Sequence, residues 1–179
     1  MPSKGARRRD SVITAAADLL LERGPGTCTH REVAARAGCS LSATTYYFSS
    51  LEELLGAAGE RIVRGWADHA ERVAAELDPR ASRSQRISAA VAAVLPEPER
   101  VRGHYEHLAG AGRSQQVAAA YAAGRPRVDA ALTQIAGPLG LDAALVVAVI
   151  DGAAITALSE GGDPAALAAQ LLDLSCPAA

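Results

Sequence analysis

Between positions 29 and 55 the chain reads T-H-R-E-V-A-A-R-A-G-C-S-L-S-A-T-T-Y-Y-F-S-S-L-E-E-L-L, a stretch whose side chains suit nucleic acid. Ser42, Ala43, Thr44, Thr45, Tyr46 and Tyr47 are small, hydroxylated or aromatic. Groups of that kind approach base edges, touch a thymine methyl and donate hydrogen bonds to phosphate oxygens. A second cluster with chemical potential is His104-Tyr105-Glu106-His107. Histidines at i and i+3 can share a helix face, but two ligands without a third at known spacing make a weak metal site. Without a metal, Tyr105, Leu108 and one histidine line a cavity or its rim. No nucleophile elbow, P-loop, dinucleotide fingerprint or paired-carboxylate motif falls on a suitable element, so no cofactor is indicated.

The first stretch must be positioned by two short helices and a tight turn. Thr29 and Glu32 have capping-box spacing, which predicts a helix start at about Thr29. Val33, Ala34 and Ala37 give that helix a narrow face of small apolar residues, against which another helix can approach closely. Gly38 ends it, because glycine takes the left-handed conformation without steric cost. Ser40 or Ser42 then caps a helix running to about Phe48, too short to be stable without its neighbours. Two helices joined in this way outline a helix-turn-helix.

The run A-G-C-S-x-S-x-x-x-x-Y-F-x-S-x-E-x-L, with T-x-R-E-V-A and an amphipathic helix upstream, resembles the DNA-binding domain of the TetR family of bacterial repressors. The resemblance covers roughly residues 8 to 55. It implies that Arg31, two residues after the capping threonine, reaches the major groove, where an arginine can bind guanine bidentately. It places His30 nearer a phosphate. The residues expected at DNA are therefore Thr29, His30, Arg31, Ser40, Leu41, Ser42, Ala43, Thr44, Thr45, Tyr46 and Tyr47. Two positions depart from the family pattern. Thr45 stands where a tyrosine is common, with Tyr46 beside it, and Leu51 stands where a lysine usually points at a phosphate. That loss leaves the amides at the start of the fourth helix and the hydroxyls of Ser49 and Ser50 as the remaining backbone contacts.

Composition agrees with this placement. Hydrophobic residues make up 49% and aromatics 3%, so the core must be alanine, leucine and valine, which favours close-packed helices. The net charge is −2, yet residues 1–50 carry seven Lys or Arg against four Asp or Glu while the remainder carries eleven against sixteen. The basic end is the one with the helix-turn-helix, as phosphate binding requires. Cys28, Cys39 and Cys176 form no C-x-x-C pair, which argues against a disulfide framework or zinc finger and for a reducing cytoplasm. Cys39 reads either as a small hydrophobe in the turn or as a thiol switch. Asp151 and Gly152 interrupt the most apolar stretch, so no membrane span is expected.

The remaining elements follow from helical periodicity and its breakers. Residues 1–8 read as a mobile basic arm, and Asp10 or Ser11 opens a first helix carrying Val12, Ile13, Ala16, Leu19 and Leu20 until Gly24-Pro25-Gly26. A fourth helix of about 27 residues starts at Ser50 and carries Trp66. A fifth is capped by Ser82 or Ser84, a sixth covers about 99–109, and a seventh covers 114–135 with Pro126 kinking or splitting it. Helices over 141–158 and 164–174 complete the chain. The first of these is apolar around much of its circumference, at Leu145, Val146, Val149, Ile150, Ile155 and Leu158, and needs burial on more than one side.

The fold expected is thus all-α: a helix-turn-helix domain over 1–50 and a helical ligand-binding and dimerisation domain over 51–179. Trp66, His104, Tyr105, Leu108 and Tyr121 are the candidates for shaping an apolar effector pocket. The resemblance implies a DNA-binding regulator, a ligand-responsive repressor that leaves a palindromic operator when a small, largely apolar effector binds. It also implies a homodimer joined through 141–158 and 164–174. From another class, a helical enzyme or ligand carrier would use His104, Glu106 and His107.

Overall fold

The computed structural model describes residues 3–177, and among them nine α-helices and no strand occur. The helices are α1 (Lys4–Arg23), α2 (His30–Arg36), α3 (Leu41–Tyr47), α4 (Leu51–Glu76), α5 (Arg83–Val94), α6 (Pro98–Ala111), α7 (Gln115–Ala136), α8 (Ala143–Glu160) and α9 (Pro164–Ser175). Their contacts gather into two compact units, one of residues 1–64 and 103–124, the other of 65–102 and 125–179. The unit holding the helix-turn-helix therefore extends past residue 50, taking in the start of α4 and parts of α6 and α7.

In the first unit, α1 buries Val12, Ile13, Ala16, Leu19 and Leu20. They join Val33 and Ala34 of α2, with Phe48, Leu54 and Val117 also fully buried. The expected start of α1 is corrected. Ser3 caps it, accepting from the Ala6 amide at 3.1 Å, so Lys4, Arg7 and Arg8 are helical rather than part of an arm. The reason is local: positions 4–10 contain no proline and mostly good helix formers, so nothing stops the helix from extending back to the first serine. Residues 1 and 2 of the expected arm lie outside the described residues.

The same unit contains a close crossing of α4 and α7. A Cβ on Gly124 would overlap Val63 Cγ2, and one on Gly59 would stand 3.1 Å from Ala120 Cβ. Alanine-sized and smaller residues at these positions let the two helices approach, as the small-residue composition implied. Pro126 lies inside α7, which nevertheless runs unbroken over its 22 residues, so the proline does not split it.

In the second unit, α8 packs on α9, and α5 packs on both. Ile87, Val91, Leu132, Ile135, Val146, Ile150 and Leu172 are its larger buried side chains. Asp142 caps α8 by accepting from the Ala144 and Leu145 amides, and Asp163 does the same for α9 ahead of Pro164. Arg86 is buried and donates to the carbonyls of Ile135 (3.1 Å) and Pro79 (2.6 Å), so the end of α7 receives a cation where its dipole is negative. Arg127 forks between Asp68 and Glu71 of α4, each at 2.7 Å.

Asp151 does not interrupt α8, which corrects the expectation that no stretch is long enough for a membrane. The helix has 18 residues and meets the length and composition of a span. One face, with Val146, Ile150, Ala153, Ala154 and Ala157, is buried within the second unit as in a core helix. The opposite face leaves Leu145 and Ile155 exposed, and α9 adds exposed Leu171 and Leu174.

Candidate nucleic-acid interface

The turn between α2 and α3 has the geometry its sequence implies. The Thr29 hydroxyl accepts from the Glu32 amide at 3.2 Å and donates to the Glu32 carboxylate at 2.9 Å, so the glutamate answers the hydroxyl rather than the backbone. At the other end Gly38 has φ +60°, and the Cys39 and Gly38 amides return to the carbonyls of Ala34 and Ala35. That pair of bonds is a Schellman motif, which turns the chain sharply into α3. Ser40, not Ser42, is the cap: its hydroxyl accepts from the Ala43 amide at 3.3 Å and shares a 2.9 Å bond with the Ser42 hydroxyl.

Four α3 side chains stand out in solvent: Leu41, Ser42, Thr45 and Tyr46, the last 83% exposed. The expectation that Thr44 meets DNA is corrected, because Thr44 is fully buried and donates its hydroxyl to the Leu41 carbonyl at 2.8 Å. On a helix, one residue in the i, i+3, i+4 pattern must face the core, and here a threonine fills that place by satisfying its own hydroxyl. Ala43 and Tyr47 are half-buried. Tyr46 and Tyr47 meet edge to face at 5.1 Å, and Phe48 is core.

The neighbouring charges sort themselves by pairing. Arg36 binds Glu22 through two bonds of 2.8 and 2.7 Å, and Arg23 lies 3.5 Å from Glu32. Arg31 is exposed on α2 and makes no ion pair among the described residues, which leaves its guanidinium available beside α3. His30 is half-buried, and its Nδ1 is enclosed with no hydrogen-bond partner among the described residues, so a phosphate contact from it must use Nε2. Thr29 and Ser40 are exposed but serve as caps.

Sequence reasoning missed the contribution of α1. Arg9 lies over the Phe48 ring with its guanidinium carbon 4.9 Å from the centroid, and Arg8 reaches the Gly38 carbonyl at 3.5 Å. The basic start of α1 is thereby held against the turn and the end of α3, with Lys4 and Arg7 exposed on the same turns. The run K-G-A-R-R-R was visible, but reading it as an arm hid that it has a fixed place.

At the start of α4, Leu51 is half-buried and offers no charge. The amide and hydroxyl of Ser49 both donate to Glu53 at 2.7 Å, and the Ser50 hydroxyl accepts from the Glu53 amide at 3.1 Å. The two bonds from Ser49 hold the Glu53 carboxyl below its ordinary range, the hydroxyl contributing most. The Ser49 hydroxyl is thus engaged with Glu53, which weakens its expected role as a phosphate donor.

The candidate ligand residues do not form one cluster in either unit. Trp66 is half-buried in the second unit, whereas His104, Tyr105, Leu108 and Tyr121 are in the first. His107 is buried, with Nδ1 2.7 Å from the Leu20 carbonyl and Nε2 bonded to the Tyr121 hydroxyl. A carbonyl only accepts, so Nδ1 carries the proton and Nε2 accepts from tyrosine. Burial pushes the His104 imidazole down to about 4, with His107 adding to the shift, and also lowers His107. Burial raises the Tyr121 phenol and takes the Cys28 thiol up to about 11. Among the described residues no three His, Cys, Asp or Glu side chains gather as a metal site would require. An open groove of about 440 Å³ in the second unit is lined by Glu76, Leu77, Asp78, Ala81, Ser84, Gln85 and Ser88, none of them a candidate from sequence.

Three comparisons bear on this geometry. Residues 12–58 match the family model for bacterial regulatory proteins of the tetR family. The HTH-type transcriptional dual regulator CecR of Shigella flexneri is 37% identical over 86 residues, which is 44% of this chain and 38% of that protein. The chain therefore spans well under half of this curated relative. Among solved structures, the multidrug binding protein EbrR complexed with ethidium has a TM-score of 0.70 at 29% identity, over 96% of this chain and 99% of that one. A TetR-family member from Streptomyces coelicolor A3 has a TM-score of 0.67 at 29% identity, over 96% and 99%.

Proposed function

Because residues 12–58 match the tetR family of bacterial regulatory proteins and a TetR-family structure shares the fold, we propose that this chain is a TetR-family transcriptional regulator that grips a palindromic operator as a homodimer and releases it when a small, largely apolar effector binds. Family members are regulators rather than enzymes, so an enzyme built on His104, Glu106 and His107 is set aside. The observation that carries the reading is the exposed face of α3, with Leu41, Ser42, Thr45 and Tyr46 in solvent, flanked by unpaired Arg31 and by the basic turns of α1. Such a surface fits a major groove, with Arg31 placed to reach a base edge and the α1 cations placed for the backbone.

In this reading residues 1–50 make the DNA contacts and 51–179 bind the effector and the second copy. Leu145, Ile155, Leu171 and Leu174 are the exposed apolar residues of α8 and α9, and pairing those helices with their copies would bury them. Tyr105, Leu108, His104 and Tyr121 remain the proposed effector contacts in the first unit, and Trp66 of the second unit remains a separate candidate. The EbrR neighbours bind imidazole, proflavin and ethidium, which favours a small, flat, largely apolar effector here too. The regulator would act in the cytoplasm, where its DNA is.

The test is selection from random duplexes followed by a release screen with small apolar compounds that do not intercalate. The expected outcome is an enriched inverted repeat bound by two protomers, with at least one compound lowering its affinity. Enrichment of no sequence would refute the DNA-binding reading, and enrichment without any release would refute the effector.

A further inference from the structure

The chemistry of the exposed face of α3 says which bases it reads. Its four exposed side chains include no amide, no carboxylate and no cation. It therefore lacks the asparagine or glutamine that pairs with adenine, the acid that accepts from cytosine and the arginine or lysine that binds guanine. The serine and threonine hydroxyls on this face are also engaged. Thr45 Oγ1 donates back to the helix, 3.4 Å from the Leu41 carbonyl and 3.3 Å from the Ser42 carbonyl. Ser42 and Ser40 share their hydrogen bond at 2.9 Å. With its hydroxyl turned to the backbone, Thr45 has its γ-methyl left to present.

Leu41 is 46% exposed at the first position of the helix. It lies four residues before Thr45, so the isobutyl group and the methyl are neighbours on one helix face. The major groove offers one apolar base feature, the C5 methyl of thymine. We propose that Leu41 and Thr45 form a thymine-methyl reader, so that each operator half-site carries thymines opposite α3, and that guanine, where specified, is read from α2 by Arg31. Tyr46, next to Thr45 and with most of its surface in solvent, supplies a hydroxyl for the flanking phosphate. The inference rests on the reading that α3 enters DNA, and it narrows that reading to a base class.

The experiment uses the full chain and the duplex selected above, with each thymine replaced in turn by deoxyuridine, which removes the methyl and keeps the base pair. Replacement opposite α3 should weaken binding about fourfold per site, as expected for one buried methyl, while replacement elsewhere in the duplex should change nothing. Thr45→Ser keeps the hydroxyl and Leu41→Ala keeps a good helix former at an exposed position, so both should fold. In each variant the deoxyuridine penalty at the matching thymine should disappear. A duplex that binds selectively yet is indifferent to deoxyuridine, or whose penalty persists in both variants, overturns this proposal alone. Failure to enrich any duplex would instead overturn the DNA reading beneath it.

Discussion

His107 on α6 donates from Nδ1 to the carbonyl of Leu20 on α1 at 2.7 Å, and that same carbonyl receives the Gly24 amide at 2.9 Å where α1 ends. One buried imidazole thus joins the helix that supports the DNA-binding turn to α6, and through the Tyr121 hydroxyl to α7. The join requires a neutral ring, because protonated Nε2 would become a donor facing a tyrosine that now donates to it.

Stability should therefore fall as solution is acidified below about pH 6.5. His104 and His107 both titrate below the ordinary imidazole value of 6.5 in the folded chain, so the unfolded chain takes up protons first. Stability from these groups is complete above 6.5 and is lost as pH drops towards the His104 value of about 4, by at most ~1.4 kcal/mol per pH unit for each histidine. The carboxylates held low, Glu22 and Glu53, titrate below the ordinary glutamate value of 4.5, so the window from 6.5 to 5 isolates the histidines. Thermal unfolding across that window checks the slope, and His104→Gln should flatten it.

Two glycines in helix interiors should respond in opposite directions to alanine. At Gly124 the new Cβ would overlap both methyls of Val63, a β-branched side chain that cannot swing away, so Gly124→Ala should destabilise by about 1–3 kcal/mol. At Gly65 nothing lies within 4 Å, and Gly65→Ala should stabilise by up to ~1 kcal/mol through helix propensity. Denaturant midpoints of the two variants, measured side by side, decide the point.

Charge placed on the exposed apolar residues of α8 and α9 should separate the protomers. Ile155 is 57% exposed and Leu174 is 73% exposed, so Ile155→Glu with Leu174→Glu should leave the helical circular dichroism intact. Sedimentation velocity should then show a monomer, and the parent chain should sediment as a dimer. A dimer that survives both changes would place the interface elsewhere.

Arg31→Ala should weaken the selected duplex by about 1–3 kcal/mol and a scrambled duplex hardly at all, because a bidentate guanine contact carries sequence information. An equal loss on both would assign Arg31 to phosphate.

The helix-turn-helix was legible in the sequence because its signals are local. Thr29, Gly38 and Ser40 each fix a backbone feature through atoms within a few residues, and all three do so in the structure. The burial of Thr44 was not legible, since alternation of small polar residues leaves the helix phase open until the neighbouring helices fix it. The backward extension of α1 was hidden by its charge, which reads as an arm until Arg9 is seen against Phe48. His107 was legible as a histidine of interest but not as a link between helices, because its partner lies 87 residues away. The proposed effector contacts are the least legible part, for they depend on how distant segments meet.

The most direct measurement compares the affinity of the full chain for the selected palindrome with that for a scrambled duplex of equal length, by fluorescence anisotropy at physiological salt. A specific regulator should favour the palindrome by about a thousandfold or more, and Leu41→Ala or Thr45→Ser should cut that ratio while leaving the scrambled affinity unchanged. Equal affinities for the two duplexes would contradict the assignment of α3 as the reading helix.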